Sequence, residues 1–230
     1  MAKHEIPGIE YKTPKTNPTI SGDDYDFYEI PFYKDAEYFA IIENFVNFVK
    51  AVERLVRTSK DYKKYIAYLK NDLGLRACQV LSNIENIEEE DDDKKIKDVT
   101  IEMHHGPLLT LFDVVSIVVD HYLVNNKKIN TFIIADAVLE EHFNHNIQVV
   151  MLSKTTHQLV HDGQIFINFK QGFGYVNRFL KKYKDGLHPE LIEKIEKYIE
   201  RSKQYDSFDN GVLELDRTIS EFKEEYEIFM

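Results

Sequence analysis

Nine histidines occur in the chain, and four of them are spaced for shared chemistry. His104 and His105 are adjacent, immediately before Gly106-Pro107, and His157 and His161 lie four residues apart. On a helix, positions i and i+4 are neighbours about 5–6 Å apart at Cβ, so His157 and His161 can both reach one metal ion. In a strand, successive side chains point to opposite faces. Adjacent histidines at a strand end therefore divide their roles: one ring can join the metal while the other faces the substrate side. Three imidazoles leave an ion with open coordination positions. An ion so held can polarise a phosphate and stabilise a leaving oxygen. A spare imidazole, with an unperturbed pKa near neutrality, can take a proton from attacking water. Phosphodiester hydrolysis is the chemistry such a set would serve. Either half alone reads more simply as surface or core histidine, and only their order along the chain lifts the pair above that.

Two strands and a helix must position these residues. Val99 to Met103 reads as a short strand running into His104-His105. Val149 to Leu152 reads as a second strand, after which Ser153 can cap a helix through His161, closed by Gly163. Between the strands, Leu108 to Leu123 and Thr131 to His145 read as helices separated by Asn125-Asn126. Upstream, Pro7, Pro14, Pro18 and Pro31 exclude a regular helix and predict an extended arm with one strand near Tyr28 to Phe32. From Asp35 onward, apolar residues such as Phe45, Phe48, Val49, Val52 and Val56 recur at helical spacing. Further helices are expected over Lys60 to Asn71, stopped by Gly74, and over Arg76 to Asn86. The six consecutive carboxylates Glu88 to Asp93 repel one another and predict a solvated loop. Downstream, helices are expected from Gly174 to Tyr183, from Pro189 to Gln204, and once more near the end. The expected class is α+β, mostly helical. The expected division is a helical region over 1–98, a histidine-bearing region over 99–185 and a helical region over 186–230.

At Glu102-Met103-His104-His105, Val150-Met151-Leu152 and His157-Gln158-Leu159-Val160-His161-Asp162-Gly163, the sequence resembles the HNH nuclease motif of the ββα-metal fold. The form is closest to that of the colicin-type DNases. The resemblance implies a ββα-metal core with an inserted helical hairpin and added N- and C-terminal helices. It implies His104, His157 and His161 as ligands of one divalent ion, His105 as general base, and Glu102 as the acid that supports the site from behind the ligands. Mg, Mn, Zn and Ni all remain open for the ion. Three departures stand out. The family's central Asn lies nine residues before the first helix histidine, where this chain has Gln148; Asn146 would require a slipped or bulged strand. Ser153 and Thr156 face the positions of the family's structural-zinc cysteines, so no second metal is expected. From His105 to His157 the chain runs 157 − 105 = 52 residues, which accommodates the inserted helices.

Charge bears on the partner. The chain has 29 basic and 40 acidic residues, a net charge of −11, which argues against a protein that coats nucleic acid by bulk charge. From Ser153 to Lys184, however, six basic residues face one acid, Asp162, so the local balance is 6 − 1 = +5. Lys154, Lys170, Arg178 and Lys181 in this stretch are the candidate phosphate contacts, although a solvated helix face explains any one of them equally well. Gly172-Phe173-Gly174-Tyr175 reads as a turn carrying core aromatics before it reads as a phosphate loop. Glu140-Glu141-His142 reads as the polar end of a helix, and Asp120-His121 has the reverse of the order metal phosphohydrolases use. The single cysteine, Cys78, excludes a disulfide framework and any all-cysteine zinc site; its apolar context reads as packing.

The function expected from these residues is a metal-dependent HNH-like endonuclease acting on double-stranded DNA. The alternative is an inactive HNH-derived scaffold that binds a protein partner in phage or host DNA metabolism through its helical additions. A helical interaction protein with coincidental histidines is the third reading. The apolar stretch Val114 to Val119, bracketed by Asp113 and Asp120, falls far short of the roughly 20 residues that span a bilayer. No leader-like apolar segment is visible near the N-terminus, so the expected location is the cytoplasm, that of the host if the gene belongs to a phage. The excess of Lys over Arg, with abundant Ile, Asn and Tyr, reads as the composition of an AT-rich genome such as a phage's.

Overall fold

The computed structural model describes residues 33–81 and 100–228. The extended arm, the strand near Tyr28 to Phe32 and the acidic run lie outside the described residues. A short helix α1 (Ala36–Phe39) begins at Asp35, whose side chain accepts from the Tyr38 amide. Helix α2 (Ile42–Thr58) follows and buries one stripe, Phe48, Val49, Val52 and Val56. Ser59 ends it and starts the next helix: its hydroxyl donates to the Val56 carbonyl at 2.8 Å and accepts from the Tyr62 amide at 3.1 Å. Helix α3 (Lys60–Asn71) spans the expected residues and buries Tyr62, Tyr65 and Leu69. Gly74, at φ +69°, adopts the left-handed conformation that reverses the chain beyond it.

The helix expected over Arg76 to Asn86 does not form in its described part. Residues 76–81 are irregular, because their polar groups find partners elsewhere. The Gln79 amide donates to the Met151 carbonyl at 2.9 Å, and the Gln79 side-chain carbonyl accepts from the Met151 amide at 2.6 Å. This segment therefore closes one edge of the sheet and seats Cys78 in the core, fully buried.

Strand β1 (Ile101–His105) pairs antiparallel with β2 (Val149–Ser153), with His104 opposite Val150 and His105 opposite Val149. Between them lie α4 (Leu111–Val124) and α5 (Thr131–Phe143). Helix α4 starts at a capping box in which Thr110 and Asp113 satisfy each other's backbone amides. It buries Leu111, Val114, Val115, Ile117, Val118 and Val119, so apolar residues face most of its circumference. Asn130 caps α5, its side chain accepting from the Ile133 amide at 2.8 Å. Helix α2 lies across both α4 and α5.

Helix α6 (Lys154–His161) follows β2 without a break, since Ser153 both ends the strand and caps the helix. It packs on β1 and β2. Helix α7 (Val176–Lys182) leads to α8 (Pro189–Tyr205), which opens on a proline that the first turn tolerates, and to α9 (Asn210–Ile228). Ile192, Ile195 and Ile199 of α8 are buried, as are Val212, Leu215 and Ile219 of α9, and the two helices pack together. All of these residues join one apolar cluster with α2 to α5 and the sheet. The class is α+β and mostly helical, with one two-stranded antiparallel sheet among the described residues. No helix of the described residues is long and apolar enough to cross a membrane.

Candidate metal centre

The alternation of β1 decides which side chains can meet. Ile101, Met103 and His105 turn toward the core, while Glu102 and His104 turn toward the other face, where α6 packs. On α6, His157 and His161 stand one turn apart with ring centroids 4.6 Å from each other. The His104 ring lies 5.0 Å from that of His157 and 5.1 Å from that of His161. One nitrogen from each of the three rings falls within 4.8 Å of the other two.

Glu102 fixes the orientation of the cluster. Its Oε2 lies 2.6 Å from His157 Nδ1. A carboxylate accepts, so the hydrogen sits on Nδ1 and Nε2 is the nitrogen available to an ion. That Nε2 lies 3.0 Å from His161 Nε2. Partial burial, reinforced by His157 and His161, pushes the His104 imidazole down to about 4, so at neutral pH it carries a free lone pair. Three imidazoles braced by a carboxylate suit a divalent ion such as Zn or Ni, and the donor set fits the group that the HNH resemblance implies. His104, His157 and His161 are thus brought together, with Glu102 behind His157.

His105 is not part of this arrangement. Alternation holds at the His104-His105 step, but the face opposite the cluster is core, not open surface. The His105 ring is 5% exposed and stacks on Tyr62, with centroids 6.0 Å apart and planes 9° from parallel. Its Nε2 lies 2.9 Å from His142 Nε2. His142 Nδ1 donates to the Val138 carbonyl at 2.7 Å. In the neutral ring Nε2 is then an acceptor, so His105 must donate from Nε2. Burial, with His142 and Arg57 adding to it, holds His105 well below its ordinary range, and burial lowers His142 to about 4. A ring so enclosed, with its reachable nitrogen already donating, is not placed as a general base for a phosphate at the cluster.

The positions of the family's Asn are likewise occupied by structural roles. Gln148 is buried and donates to the Phe169 carbonyl at 3.0 Å, while Asn146 donates to Glu141 at 2.7 Å. Gly172 and Gly174 are needed for packing: a Cβ at Gly172 would meet the Gln148 side chain at 2.5 Å, and one at Gly174 the Ile147 carbonyl at 2.5 Å. The segment is a turn whose Phe173 exchanges backbone hydrogen bonds with Val149.

Glu141 and His142 are buried, not the polar end of a helix. Glu141 accepts from Lys182, from the Tyr183 hydroxyl at 3.0 Å and from Asn146. The signal for this was available: Ile134, Ala135, Ala137 and Val138 leave α5 little face to spare for water. His188, without a partner in sequence, pairs with Asp120 at 2.9 Å.

Of the four basic residues expected to hold phosphate, Lys170 is tied to Asp206 at 2.6 Å and Lys181 to Glu214 at 4.0 Å. Arg178 lies over the Tyr175 ring at 4.4 Å, and Lys154 is exposed at the start of α6. None of the four lines the cavity beside His104. That cavity is lined instead by Lys194, Lys197 and Arg201 of α8, which sequence reasoning passed over. Their i, i+3, i+7 spacing on one helix face was the signal that could have found them.

The fold and the cluster define a mostly helical α+β protein that presents three convergent imidazoles between a strand and a helix. A model of the bacteriophage G278-like virion protein family matches residues 17–226, and the chain belongs to that family. No curated protein and no solved structure matches it.

Proposed function

We propose that this virion-family protein is a metal-dependent, HNH-like endonuclease that hydrolyses phosphodiester bonds in DNA, carried in or delivered with the phage particle. The observation that supports it is the convergence of His104, His157 and His161 from a strand and a packed helix, with Glu102 on His157. His104, His157 and His161 would hold one divalent ion. Such an ion would supply Lewis-acid polarisation of the phosphodiester and stabilise the departing oxygen. Glu102 keeps a proton on His157 Nδ1 and so presents Nε2 forward. His105, paired to His142 in the core, anchors the strand that carries His104. In this proposal His105 takes no proton from water.

The test is plasmid nicking with Mg, Mn, Zn or Ni added in turn. The expected result is cleavage by the wild type with at least one ion and loss of it in His157→Ala and His161→Ala. Absence of cleavage with every ion, or cleavage by His157→Ala equal to wild type, contradicts the proposal. A second reading is favoured by the enclosure of His105 and by the virion family: a non-catalytic partner-binding component whose ion braces α6 against β1. Metal-dependent thermal stability without cleavage of any DNA would select it.

A further inference from the structure

His104, one of the three clustered histidines, lines a cavity of about 330 Å³ that reaches helix α8. Lys194, Lys197 and Arg201 line its far side, with Phe166 and Tyr198 among its walls. From Lys194 to Arg201 the helix advances seven residues, about 10 Å at 1.5 Å per residue, which is about the axial length of three nucleotides of one strand. Arg201 stacks over the Phe166 ring at 4.3 Å and forms no ion pair with a carboxylate of the described residues. Lys194 pairs with Asp113 and Lys197 with Glu193, each at 2.6 Å. The lysine side chains of both pairs are 48% and 72% exposed. The Lys197–Glu193 pair is exposed on both sides and is weak, so it can exchange a carboxylate for a phosphate at little cost, whereas Asp113, 17% exposed, holds Lys194 more firmly.

We propose that this cavity is the seat of a single nucleic-acid strand, whose phosphates are held by Lys194, Lys197 and Arg201. The inference rests on the phosphodiester reading of the cluster and gives it a substrate path built by the C-terminal helices. Cations on α8 align successive phosphates along the helix, and the chain next to them ends at His104. Tyr198 in the cavity wall offers an aromatic ring for stacking by a base, which tolerates any sequence. The basic residues of the stretch from Ser153 to Lys184 lie outside this path: none of Lys154, Lys170, Arg178 and Lys181 lines the cavity.

Fluorescence anisotropy with a labelled 12-residue single-stranded oligonucleotide tests this on the full chain, across a salt series and with and without Zn. The variant replaces Lys194, Lys197 and Arg201 together by Gln; a control replaces Lys50, Lys60 and Lys63, which removes the same charge elsewhere. The slope of log K against log salt should fall by about 2 in the α8 variant, from about 0.7 per phosphate contact, and stay at the wild-type value in the control. Zn affinity should be equal in all three proteins, which separates the groove from the metal site. An unchanged slope in the α8 variant overturns the inference, as does an equal loss in the control. Loss confined to a variant lacking Lys154, Lys170, Arg178 and Lys181 overturns it too. Should the triple variant unfold, Arg201→Gln alone must lower the slope by about 0.7. Intact α8-dependent binding with no cleavage would leave the groove standing and refute only the nuclease reading. Tighter retention of pyrophosphate than of the oligonucleotide would assign the cavity to a small phosphate ester instead.

Discussion

Glu102 offers the most informative single perturbation. Its carboxylate lies 2.6 Å from His157 Nδ1, with the carboxylate side chain 37% exposed and that of His157 22% exposed. Carboxylates that brace a ligating imidazole are worth about 10- to 100-fold in metal affinity. The exposure of this pair screens the interaction, which places Glu102→Ala at the lower end: about tenfold weaker binding, or roughly 1.4 kcal/mol. Glu102→Gln retains an acceptor for Nδ1–H but not the charge, so it should weaken binding by less than Ala does. A competition titration against a chromogenic chelator at pH 7.5 measures both, and raising the salt concentration should narrow the gap between Gln and wild type. The expected order of affinity is wild type, then Gln, then Ala. If Glu102→Ala binds metal within a factor of two of wild type, His157 is not held by this contact and the reasoning fails.

Three further outcomes concern the frame around the site. His142 is lowered by burial to about 4, so the unfolded chain, near 6.5, binds the proton first. Stability of the metal-free protein is then full above pH 6.5 and declines toward pH 4, by roughly 3 kcal/mol from this group over the whole interval; urea denaturation at pH 7 and pH 5 should show the loss, and a pH-independent midpoint would contradict it. Gly186→Ala places a Cβ 2.2 Å from the Ile117 carbonyl oxygen and 2.8 Å from the His121 amide. Both are backbone, so the substitution should cost about 1–3 kcal/mol, and an unchanged melting temperature would show that the loop before α8 yields freely. Leu69 is fully buried, and Leu69→Ala should lower stability by about 2–5 kcal/mol in chemical denaturation; a cost below 1 kcal/mol would mean that α3 is not packed as described.

Where local chemistry decides, the sequence was legible. Ser59 separates α2 from α3 and Ser153 launches α6, because a capping hydroxyl acts on amides two or three residues away. The shared face of His157 and His161 followed from the helical repeat, and the opposite faces of His104 and His105 from strand alternation; the ββα arrangement and His104 as the third member were implied only by the HNH resemblance. What escaped was set by distant partners. Residues 76–81 have helical composition, yet Gln79 bonds to Met151, 72 residues onward, and the local pattern holds no trace of that competition. Alternation placed His104 and His105 on opposite faces but could not say which face was covered; α3 and α5 close over His105 through Tyr62 and His142. The basic stretch after Ser153 was visible as a sum of charges, whereas the groove is built by α8, whose cations sit among acids in sequence and face His104 only after folding.

The central claim is that three imidazoles hold one divalent ion. X-ray absorption spectroscopy on the Zn-titrated full chain tests it most directly. One equivalent of Zn with three histidine nitrogens at about 2.0–2.1 Å is the result the account predicts, falling to two in His104→Ala. Failure to take up a stoichiometric ion, or a first shell without histidine that is unchanged in His104→Ala, would contradict it.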